Sequence, residues 1–362
     1  MKIATIFGTR PELIRLSKII PLVDKHFEQI LIHTGQNYDF ELDEIFMNEF
    51  NFRKPDYYLG AKGTFTNQIS IIFKKTEKIF LKEKPDALLV LGDTNSSLAA
   101  VVAKRLNIKV FHMEAGNRCY DDRVPEEINR RIIDHSSDVL LPYTDRSASN
   151  LVEEGIERKR IYVTGNPIFE VLNNSTYKIN QSKILNKLKI QKNKYFLVTL
   201  HREENVDNLK RLKSFINIFQ KIIDNFKFKI IWPIHPRSKK LLEKINLSFD
   251  KNKIVIIKPV GFHDFVKLEL QSFCILTDSG TVQEECSIFK KPVLTLRDTT
   301  ERPETVESGS NIIISNNIDN IVEAIKFSTN KSVITNTRTP DEYLVKNVSN
   351  TIIKILLSKI NQ

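Results

Sequence analysis

The sequence contains few cysteines and no cysteine pair of the kind that binds zinc. Its 362 residues include only Cys119, Cys274 and Cys286. An odd number of cysteines without Cys-x-x-Cys spacing predicts neither a disulfide framework nor a zinc site. We interpret each cysteine as a small, partly buried apolar side chain rather than as a nucleophile.

Long hydrophobic runs are also missing. No stretch reaches the roughly eighteen uninterrupted apolar residues that a membrane span requires, and the N-terminal MKIATIFGTRPE becomes polar too early for a signal peptide. We therefore expect a cytoplasmic protein without a membrane partner.

Two glycine-rich nucleotide-binding patterns are absent. No Gly-x-Gly-x-x-Gly follows the first apolar run, which argues against NAD, and no Gly-x-x-x-x-Gly-Lys-Ser/Thr occurs, which argues against an ATP-type phosphate loop. The 7 histidines are dispersed, without His-x-x-x-His spacing at a strand end. We therefore expect neither a cofactor nor a metal.

The charge of the chain is strongly positive but widely spread. A formal net charge of +11 is compatible with an anionic ligand. The lysines lie along helical stretches such as 74–84, and no basic patch is interleaved with aromatic residues. This distribution is typical of solvated helix faces, so we do not expect a nucleic-acid partner.

Short apolar runs alternate with segments of helical period along most of the chain. Runs without internal alternation are typical of strands covered on both faces, which indicates an α/β fold with parallel, doubly wound sheets. The predicted strands are 2–7, 29–33, 87–92, 109–114, 139–143 and 160–165 in one sheet, and 196–201, 229–235, 254–261, 274–280 and 292–297 in another.

The length and this pattern predict two Rossmann-like domains. We expect an N-terminal domain at 1–168, joined by a C-terminal helix at 344–362, and a second domain at 169–343. The segment 169–194 is rich in Asn, Lys and Ser, and we interpret it as the link between the domains, with a possible helix inside it.

Polar residues follow the predicted strands of the first half, at the edge where sheets of this kind bind ligands. After the first strand, GTRPE offers backbone amides and Arg10 as an anion site, or simply a capped helix. Asp93 follows the third strand, either as a helix cap or as a proton-transfer group. Glu114 ends the fourth strand, and Glu126 falls in the first turn of a helix that Pro125 would begin.

The second half has cations and a Ser-Gly turn at its strand ends. These residues are His201, Arg202, His235, Arg237, Ser279, Gly280, Arg297 and Arg302. Such a group suits a nucleotide diphosphate, whereas the carboxylates of the first half suit proton transfer on a neutral sugar or a similar group.

Nine motifs occur in order over nearly the whole chain. They are GTRPE, HTGQNYD, GDTNSS, HMEAGNR with VPEEINRR, GNPI, TLHREEN, PIHPR, TDSGTVQEE and LRDTTERPE. Together they closely resemble the motifs of the non-hydrolysing UDP-N-acetylglucosamine 2-epimerases. The resemblance implies two Rossmann-like domains of the glycosyltransferase-B type with the active site in the interdomain cleft, a homodimer, and catalysis without NAD or metal.

The same resemblance implies a reaction. A UDP-2-acetamidohexose is inverted at C2 by elimination of UDP through a 2-acetamidoglycal and re-addition, which interconverts UDP-N-acetylglucosamine and UDP-N-acetylmannosamine for surface polysaccharides. A base must remove the C2 proton, an acid must return one to the opposite face, and cations must hold the departing diphosphate.

Site roles follow from the matching motifs. Asp93, Glu114 and Glu126 are implied as acid and base, with His201 close to the leaving group. The implied substrate-binding residues are Arg10, Arg15, Arg130, His235, Arg237, Phe265, Ser279, Gly280, Glu285 and Arg302. Glu285 would bind ribose hydroxyls, Arg130 would bind the diphosphate or those acids, and Phe265 would lie near the uracil or serve as a core aromatic.

Three features differ from the family pattern. Arg15 stands where the family commonly has Lys, and Thr281 replaces the second Gly of a Ser-Gly-Gly turn. The segment EAGNRCYDDRVPEE, together with HTGQNYD and LPYTD, is more similar to the subgroup that forms UDP-N-acetyl-L-fucosamine from UDP-2-acetamido-2,6-dideoxy-L-talose. That 6-deoxy sugar is therefore the alternative substrate, and a UDP-sugar glycosyltransferase is a more distant alternative.

Overall fold

The computed structural model describes residues 1–36, 40–202, 205, 209–234, 239, 242, 249–315 and 320–361. By its contacts the chain divides into two compact units, Met1–Asn173 with Asp341–Gln362 and Asn174–Pro340. Among the described residues, no helix combines the length and apolar character needed to cross a membrane.

Each unit contains one six-stranded parallel sheet. The first consists of β1 (Lys2–Phe7), β2 (Glu28–His33), β3 (Tyr57–Tyr58), β4 (Ala87–Leu91), β5 (Lys109–Met113) and β6 (Val139–Leu141). The second consists of β7 (Tyr195–Thr199), β8 (Lys229–Pro233), β9 (Ile254–Ile257), β10 (Cys274–Thr277), β11 (Val293–Thr295) and β12 (Ile312–Ile313).

Most helices lie between strands along the chain, and the last three follow β12. Those described are α1 (Arg10–Leu16), α2 (Ile19–His26), α3 (Phe40–Glu49), α4 (Phe65–Glu83), α5 (Ala99–Arg105), α6 (Pro125–His135), α7 (Asp145–Glu153), α8 (Ile168–Gln181), α9 (Ile184–Leu188), α10 (Leu209–Phe226), α11 (Phe262–Gln271), α12 (Gly280–Phe289), α13 (Pro303–Glu307), α14 (Ile321–Ser328), α15 (Lys331–Asn336) and α16 (Val348–Lys359). Short 3-10 turns occur at Asn95–Leu98, Arg158–Arg160 and Asp341–Tyr343.

Both sheets have the same strand order, which confirms the predicted doubly wound α/β fold. The first runs β3-β2-β1-β4-β5-β6 and the second β12-β11-β10-β7-β8-β9. When each sheet is numbered from its own first strand, both orders are 3-2-1-4-5-6, the Rossmann order. The order reverses between β1 and β4 in one sheet and between β7 and β10 in the other. Ligands of such sheets bind at the carboxyl ends of the strands beside that reversal.

The strands are continuous apolar runs because both faces of each sheet are covered. In β7, Phe196 and Val198 pack into one core cluster. Tyr195 and Leu197, which alternate with them, pack into the cluster on the other face. Since neighbouring side chains of a strand point to opposite faces, a strand between two helix layers must be apolar at every position.

One predicted strand is wrong, and two short observed strands, β3 and β12, were not predicted. The run 160–165 forms only an isolated bridge, Leu140 to Ile161, and the sixth strand of the first sheet is the short β3. Tyr162 and Thr164 donate their N–H groups to the carbonyls of Leu140 and Pro142. A parallel ladder would need the N–H of Pro142 in return, and proline has none.

The other predicted strands are confirmed, with ends trimmed by up to four residues. The helix expected near the C-terminus is also confirmed as α16, whose apolar positions Val348, Ile352 and Leu356 are buried and which packs against α2. Leu344, included in the predicted helical pattern, precedes the helix. The segment 169–194 holds most of α8 and all of α9, which confirms the helix suggested there.

Candidate functional site

Glu114 lies in an unusual backbone conformation directly after β5. Its φ of +63° is in the left-handed region, which a residue with a side chain adopts only at some energetic cost. The carboxylate is 3.4 Å from the guanidinium of Arg15 and accepts a 3.2 Å hydrogen bond from Asn117. Arg15 and Glu114 are both buried. Strain that the surroundings maintain at a buried carboxylate is typical of a functional site.

Asp93 follows β4 and binds an arginine rather than capping a helix. Thr94, not Asp93, is the N-cap residue of the next 3-10 turn. Arg130 from α6 donates to Asp93 from Nε at 2.8 Å and contacts it again through Nη2 at 2.7 Å. The same arginine binds Glu127 at 2.5 Å. Arg130 therefore contacts Asp93, one of the acids predicted as its partners.

Glu127 holds the loop before α6 in place. Its buried carboxylate accepts backbone N–H bonds from Cys119 and Tyr120, each 3.1 Å long. Burial would raise the pKa of Glu127, but the charge of Arg130 and the hydrogen bonds outweigh burial and lower it. Glu126, one residue earlier in the first turn of α6, is partly exposed. The two neighbouring glutamates therefore differ in surroundings, and only Glu126 has access to solvent.

The predicted anion site at GTRPE is occupied by a residue of the motif itself. The amides of Gly8 and Thr9 donate to the Glu12 carboxylate at 3.1 and 2.7 Å, and the Thr94 hydroxyl donates to it at 3.0 Å. The capped-helix interpretation of this motif is therefore the one that the contacts support. Arg10 is partly exposed, and its guanidinium lies 5.9 Å from the centre of the Phe46 ring.

Glu12 is expected to make stability depend on pH. Burial raises its pKa to about 7 from 4.5, although the hydrogen bonds partly oppose this shift. The folded state then holds a proton that the unfolded state releases, so stability falls as pH rises from 4.5 to about 7. The wild type should lose about 3 kcal/mol of stability between acid and neutral pH, whereas Glu12→Gln should not. The free energy of unfolding of Glu12→Gln minus that of the wild type should therefore rise by this amount. Urea unfolding at several pH values measures this difference.

A matched control for that measurement is Glu77→Gln, on the exposed side of α4. Its stability relative to the wild type should not change over the same pH range. Parallel curves for Glu12→Gln and the wild type would show that Glu12 stays ionised in the folded protein.

In the second unit, Asp278 collects donors at the end of β10. It accepts backbone N–H bonds from His201 and Arg202 at 3.0 Å and an Nδ2 bond from Asn205 at 3.0 Å. The Nδ1 atom of His201 lies 3.1 Å from the same carboxylate. Burial alone would raise the pKa of Asp278, but His201 and these hydrogen bonds outweigh it and lower the pKa to about 2.

This arrangement orients His201. The ring is bound to Asp278 through Nδ1, and its side chain is 47% exposed. Nε2 is therefore the ring nitrogen that is not committed to Asp278. A histidine held through one nitrogen by a buried carboxylate is suited to donate or accept a proton with the other.

The arginines of the second unit are fixed by carboxylates. Arg302 donates from Nε to Glu284, and Glu301 binds both Arg297, at 2.6 Å, and Arg202, at 3.1 Å. Two arginines therefore share the carboxylate of Glu301. Because planar guanidinium groups held by carboxylates lose little further freedom, they are well prepared to bind an anion.

The remaining predicted binding residues differ in what surrounds them. Ser279 is the N-cap residue of α12 and is partly exposed, whereas Gly280 and Glu285 are buried. Burial and the nearby Glu285 raise the pKa of Glu269 well above its usual value. Phe265 is partly buried against a core cluster, in keeping with the core-aromatic interpretation. His235 and Arg237 lie outside the described residues.

The three cysteines are buried or partly buried. Cys274 and Cys286 are buried, and burial raises the pKa of Cys274 to about 12. Cys119 is partly buried, with its Sγ 3.3 Å from Glu127. Within the described part of the chain, no group of three or more His, Cys, Asp or Glu side chains could hold a metal ion.

Three carboxylates that organise their surroundings, two in the first unit and one in the second, were not singled out from the sequence. Asp278 directly follows β10 and Asp93 lies two residues after β4, so the position at a strand end could have identified Asp278. Glu12 stands three residues after Thr9, the spacing of a capping box. Glu127 carries no such signal, because the backbone groups that it binds are brought together only by the folded loop.

Comparisons with known proteins identify the family of the chain. The family model described as UDP-N-acetylglucosamine 2-epimerase matches residues 22–357. A UDP-N-acetylglucosamine 2-epimerase of Methanocaldococcus jannaschii is 46% identical over 342 residues, covering 91% of this chain and 93% of the relative. A Pseudomonas aeruginosa relative, UDP-2,3-diacetamido-2,3-dideoxy-D-glucuronate 2-epimerase, is 36% identical, covering 92% and 94%.

A solved structure matches over the whole chain. The crystal structure of the M. jannaschii UDP-GlcNAc 2-epimerase in complex with UDP-GlcNAc and UDP has a TM-score of 0.93 and 43% identity, covering 99% of this chain and 100% of that one. The chain therefore belongs to the UDP-N-acetylglucosamine 2-epimerase family, and it is an epimerase, an enzyme of the isomerase class.

Proposed function

We propose that the enzyme interconverts UDP-N-acetylglucosamine and UDP-N-acetylmannosamine without net hydrolysis, as a step in supplying surface polysaccharide precursors. The observation that carries this proposal is Glu114, a buried carboxylate in a left-handed backbone conformation at a strand end, beside Arg15. The structural relative of 43% identity was solved with UDP-GlcNAc and UDP, which supports the substrate class.

The reaction needs two proton transfers and one reversible bond cleavage. A base removes the proton from C2, the C2 electrons form the C1–C2 double bond, and the bond from C1 to the UDP oxygen breaks. UDP then adds back at C1 while an acid delivers a proton to the opposite face of C2. Asp93, Glu114 and Glu126 are the groups that we assign to these transfers, because each lies at or just after the carboxyl edge of the first sheet.

His201 is assigned to the departing diphosphate. Its Nδ1 is bound to Asp278, so Nε2 can donate a hydrogen bond to the phosphate oxygen on which charge develops. We assign substrate binding to the residues that the family motifs indicate, namely Arg10, Arg15, Arg130, His235, Arg237, Phe265, Ser279, Gly280, Glu285 and Arg302. Glu285 would accept hydrogen bonds from ribose hydroxyls.

A second substrate remains a candidate because of one loop and one relative. Tyr120, in the loop whose sequence is more similar to the fucosamine subgroup, is 63% exposed. The Pseudomonas relative, 36% identical, is named for a UDP-sugar other than UDP-N-acetylglucosamine. UDP-2-acetamido-2,6-dideoxy-L-talose is therefore the alternative substrate to test beside UDP-N-acetylglucosamine.

The proposal extends to assembly and surroundings. We propose a homodimer that acts in the cytoplasm and has no nucleic-acid partner. Light scattering coupled to gel filtration should give twice the chain mass of 42.0 kDa. A monomer mass at micromolar concentration would contradict the dimer without affecting the assigned reaction.

Proton NMR in deuterated water tests the reaction. The enzyme is incubated with each of a small panel of UDP-sugars, without added metal or NAD. The C2 proton signal of the true substrate should disappear as solvent deuterium replaces it, and signals of the 2-epimer should appear. Lack of exchange in every UDP-2-acetamidohexose tested would refute the proposal. Release of free N-acetylmannosamine with UDP would identify a hydrolysing enzyme instead.

A further inference from the structure

A buried network joins the two strand ends that carry Asp93 and Glu114. Its centre is His112 on β5, which is 1% exposed. The Nδ1 atom of His112 is 2.8 Å from the carboxylate of Asp134, and its Nε2 atom is 3.0 Å from the carbonyl oxygen of Gly92. Gly92 immediately precedes Asp93, and His112 is two residues before Glu114. The imidazole ring therefore contacts the residue next to Asp93. His112 itself belongs to β5, the strand that leads to Glu114.

Both partners of the His112 ring are hydrogen-bond acceptors. A carbonyl oxygen has no hydrogen to donate, and an ionised carboxylate has none either. A neutral imidazole carries one N–H, so it could donate to only one of the two and would direct a lone pair at the other. The two short contacts are both satisfied only when each ring nitrogen carries a hydrogen.

The charges around the ring suit an imidazolium. Asp134 is fully buried, and its other oxygen accepts the backbone N–H of Gly116 at 3.2 Å and contacts Arg118 at 2.8 Å. Arg118 in turn forms a two-bond pair with Glu154, at 2.7 and 2.6 Å. Asp134 thus lies between the His112 ring and Arg118, and Arg118 lies between Asp134 and Glu154. Burial would raise the pKa of Asp134, but His112 and Arg118 outweigh burial and lower it.

The network also contacts two glycine turns, one after β4 and one just after Glu114. Gly92 and Gly116 have φ values of +71° and +78°. A Cβ atom on Gly116 would lie 2.1 Å from the backbone oxygen of Ser147, so this turn has no room for a side chain. Through Asp134, the His112 ring is linked to the second turn as well as the first.

We infer that His112, as an imidazolium between the Gly92 carbonyl and Asp134, is a positioning residue that sets the placement of Asp93 and Glu114 for proton transfer at C2. The inference rests on the proposed function, because that proposal assigns the two carboxylates to catalysis. His112 itself is buried behind them and has no role in contacting the sugar.

Two amide substitutions each preserve one of the two hydrogen bonds of the His112 ring and remove the other. In His112→Gln the amide nitrogen can occupy the place of Nε2 and keep the bond to Gly92, whereas in His112→Asn it can occupy the place of Nδ1 and keep the bond to Asp134. We expect His112→Asn to lower kcat by about ten- to a hundredfold with little change in KM, since small misplacements of catalytic groups are costly. His112→Gln should retain more of kcat although it unfolds more easily.

A purely structural role predicts the opposite order. If His112 only stabilised the fold, kcat would follow stability, and His112→Asn, which keeps the bond to buried Asp134, would be the more active variant. His26→Gln is the control, because His26 is exposed at the end of α2 and should leave kcat unchanged.

Nitrogen-15 NMR of histidine-labelled wild-type enzyme tests the charge state of the ring directly, and His112→Asn serves only to assign the signal. One histidine should show hydrogens on both ring nitrogens, and this signal should be absent from His112→Asn. If every histidine showed one ring nitrogen without a hydrogen, the inference would be overturned. Absence of C2 exchange in the wild type would refute the proposed function and with it the positioning role, whereas normal exchange with unchanged kcat in His112→Asn would refute the positioning role alone.

Discussion

Replacing Glu114 with Gln is expected to lower kcat for C2 inversion by about a thousandfold, within the range that general acid or base catalysis contributes. The amide matches the carboxylate in size, and its oxygen can still accept the hydrogen bond from Asn117. It cannot take or deliver a proton at neutral pH. Exchange of the C2 proton with solvent deuterium, followed by NMR, measures the loss directly.

Substrate binding separates this effect from damage to the fold. Calorimetric titration of Glu114→Gln with UDP should give nearly the wild-type Kd, because the expected defect is in proton transfer. Glu153→Gln, an exposed position on α7, is the control and should exchange C2 at the wild-type rate. Full exchange in Glu114→Gln would assign the proton transfers to Asp93 and Glu126 alone.

Asp278→Asn is expected to lower both stability and activity. The wild-type carboxylate accepts all of its hydrogen bonds, whereas an asparagine amide turns at least one N–H toward a donor. The pKa of about 2, compared with 3.8 for an ordinary Asp, corresponds to about 2 kcal/mol of stability at neutral pH. Activity should also fall, because His201 loses the carboxylate that orients its ring.

The lowered pKa of Asp278 also predicts how the loss of stability in Asp278→Asn changes with pH. A depressed carboxyl pKa contributes stability above the unfolded value of 3.8 and loses it as pH falls toward 2. The difference in unfolding free energy between wild type and Asp278→Asn should therefore be largest near neutral pH and shrink below pH 4. Asp298→Asn, at a partly exposed ion pair with Arg211, should cost less than about 1 kcal/mol at any pH. A constant difference for Asp278→Asn would mean that His201 and the amides do not hold the carboxylate ionised.

Arg302→Ala requires a different interpretation from the one that the sequence suggests. Sequence reasoning treats Arg302 as a phosphate-binding residue whose loss weakens binding. In the folded protein Arg302 also neutralises the buried Glu284, so its removal leaves a buried charge without this partner. A weaker Kd for UDP in Arg302→Ala is therefore informative only when unfolding is measured beside it.

Several features were predictable because their signals are local. Apolar runs identify buried strands, as in β7, since a strand covered on both faces must be apolar at every position. Helix starts such as Pro125 follow from proline at the first turn. The order of the motifs indicated the family, which the matching family model and relatives confirm.

Predictions from the sequence failed where the outcome depends on a residue of another element, which the local pattern does not specify. The run 160–165 has the composition of a strand, yet it fails to form one because the strand beside it ends in Pro142. Asp93 has the position of a helix cap, yet Arg130, 37 residues later, is its partner. Neither outcome can be derived from residues near the one concerned.

The sequence by itself determined the strand and helix pattern, the doubly wound fold class and the family, because each depends on residue type at short spacing or on motif order. Only the tertiary structure decided which charges meet. The partners Glu12 and Thr94 are 82 residues apart, and His201 and Asp278 are 77 apart. Each pair meets because the Rossmann strand order places β1 beside β4 and β7 beside β10. That order results from packing whole helices and sheets, and no short stretch of residues encodes it.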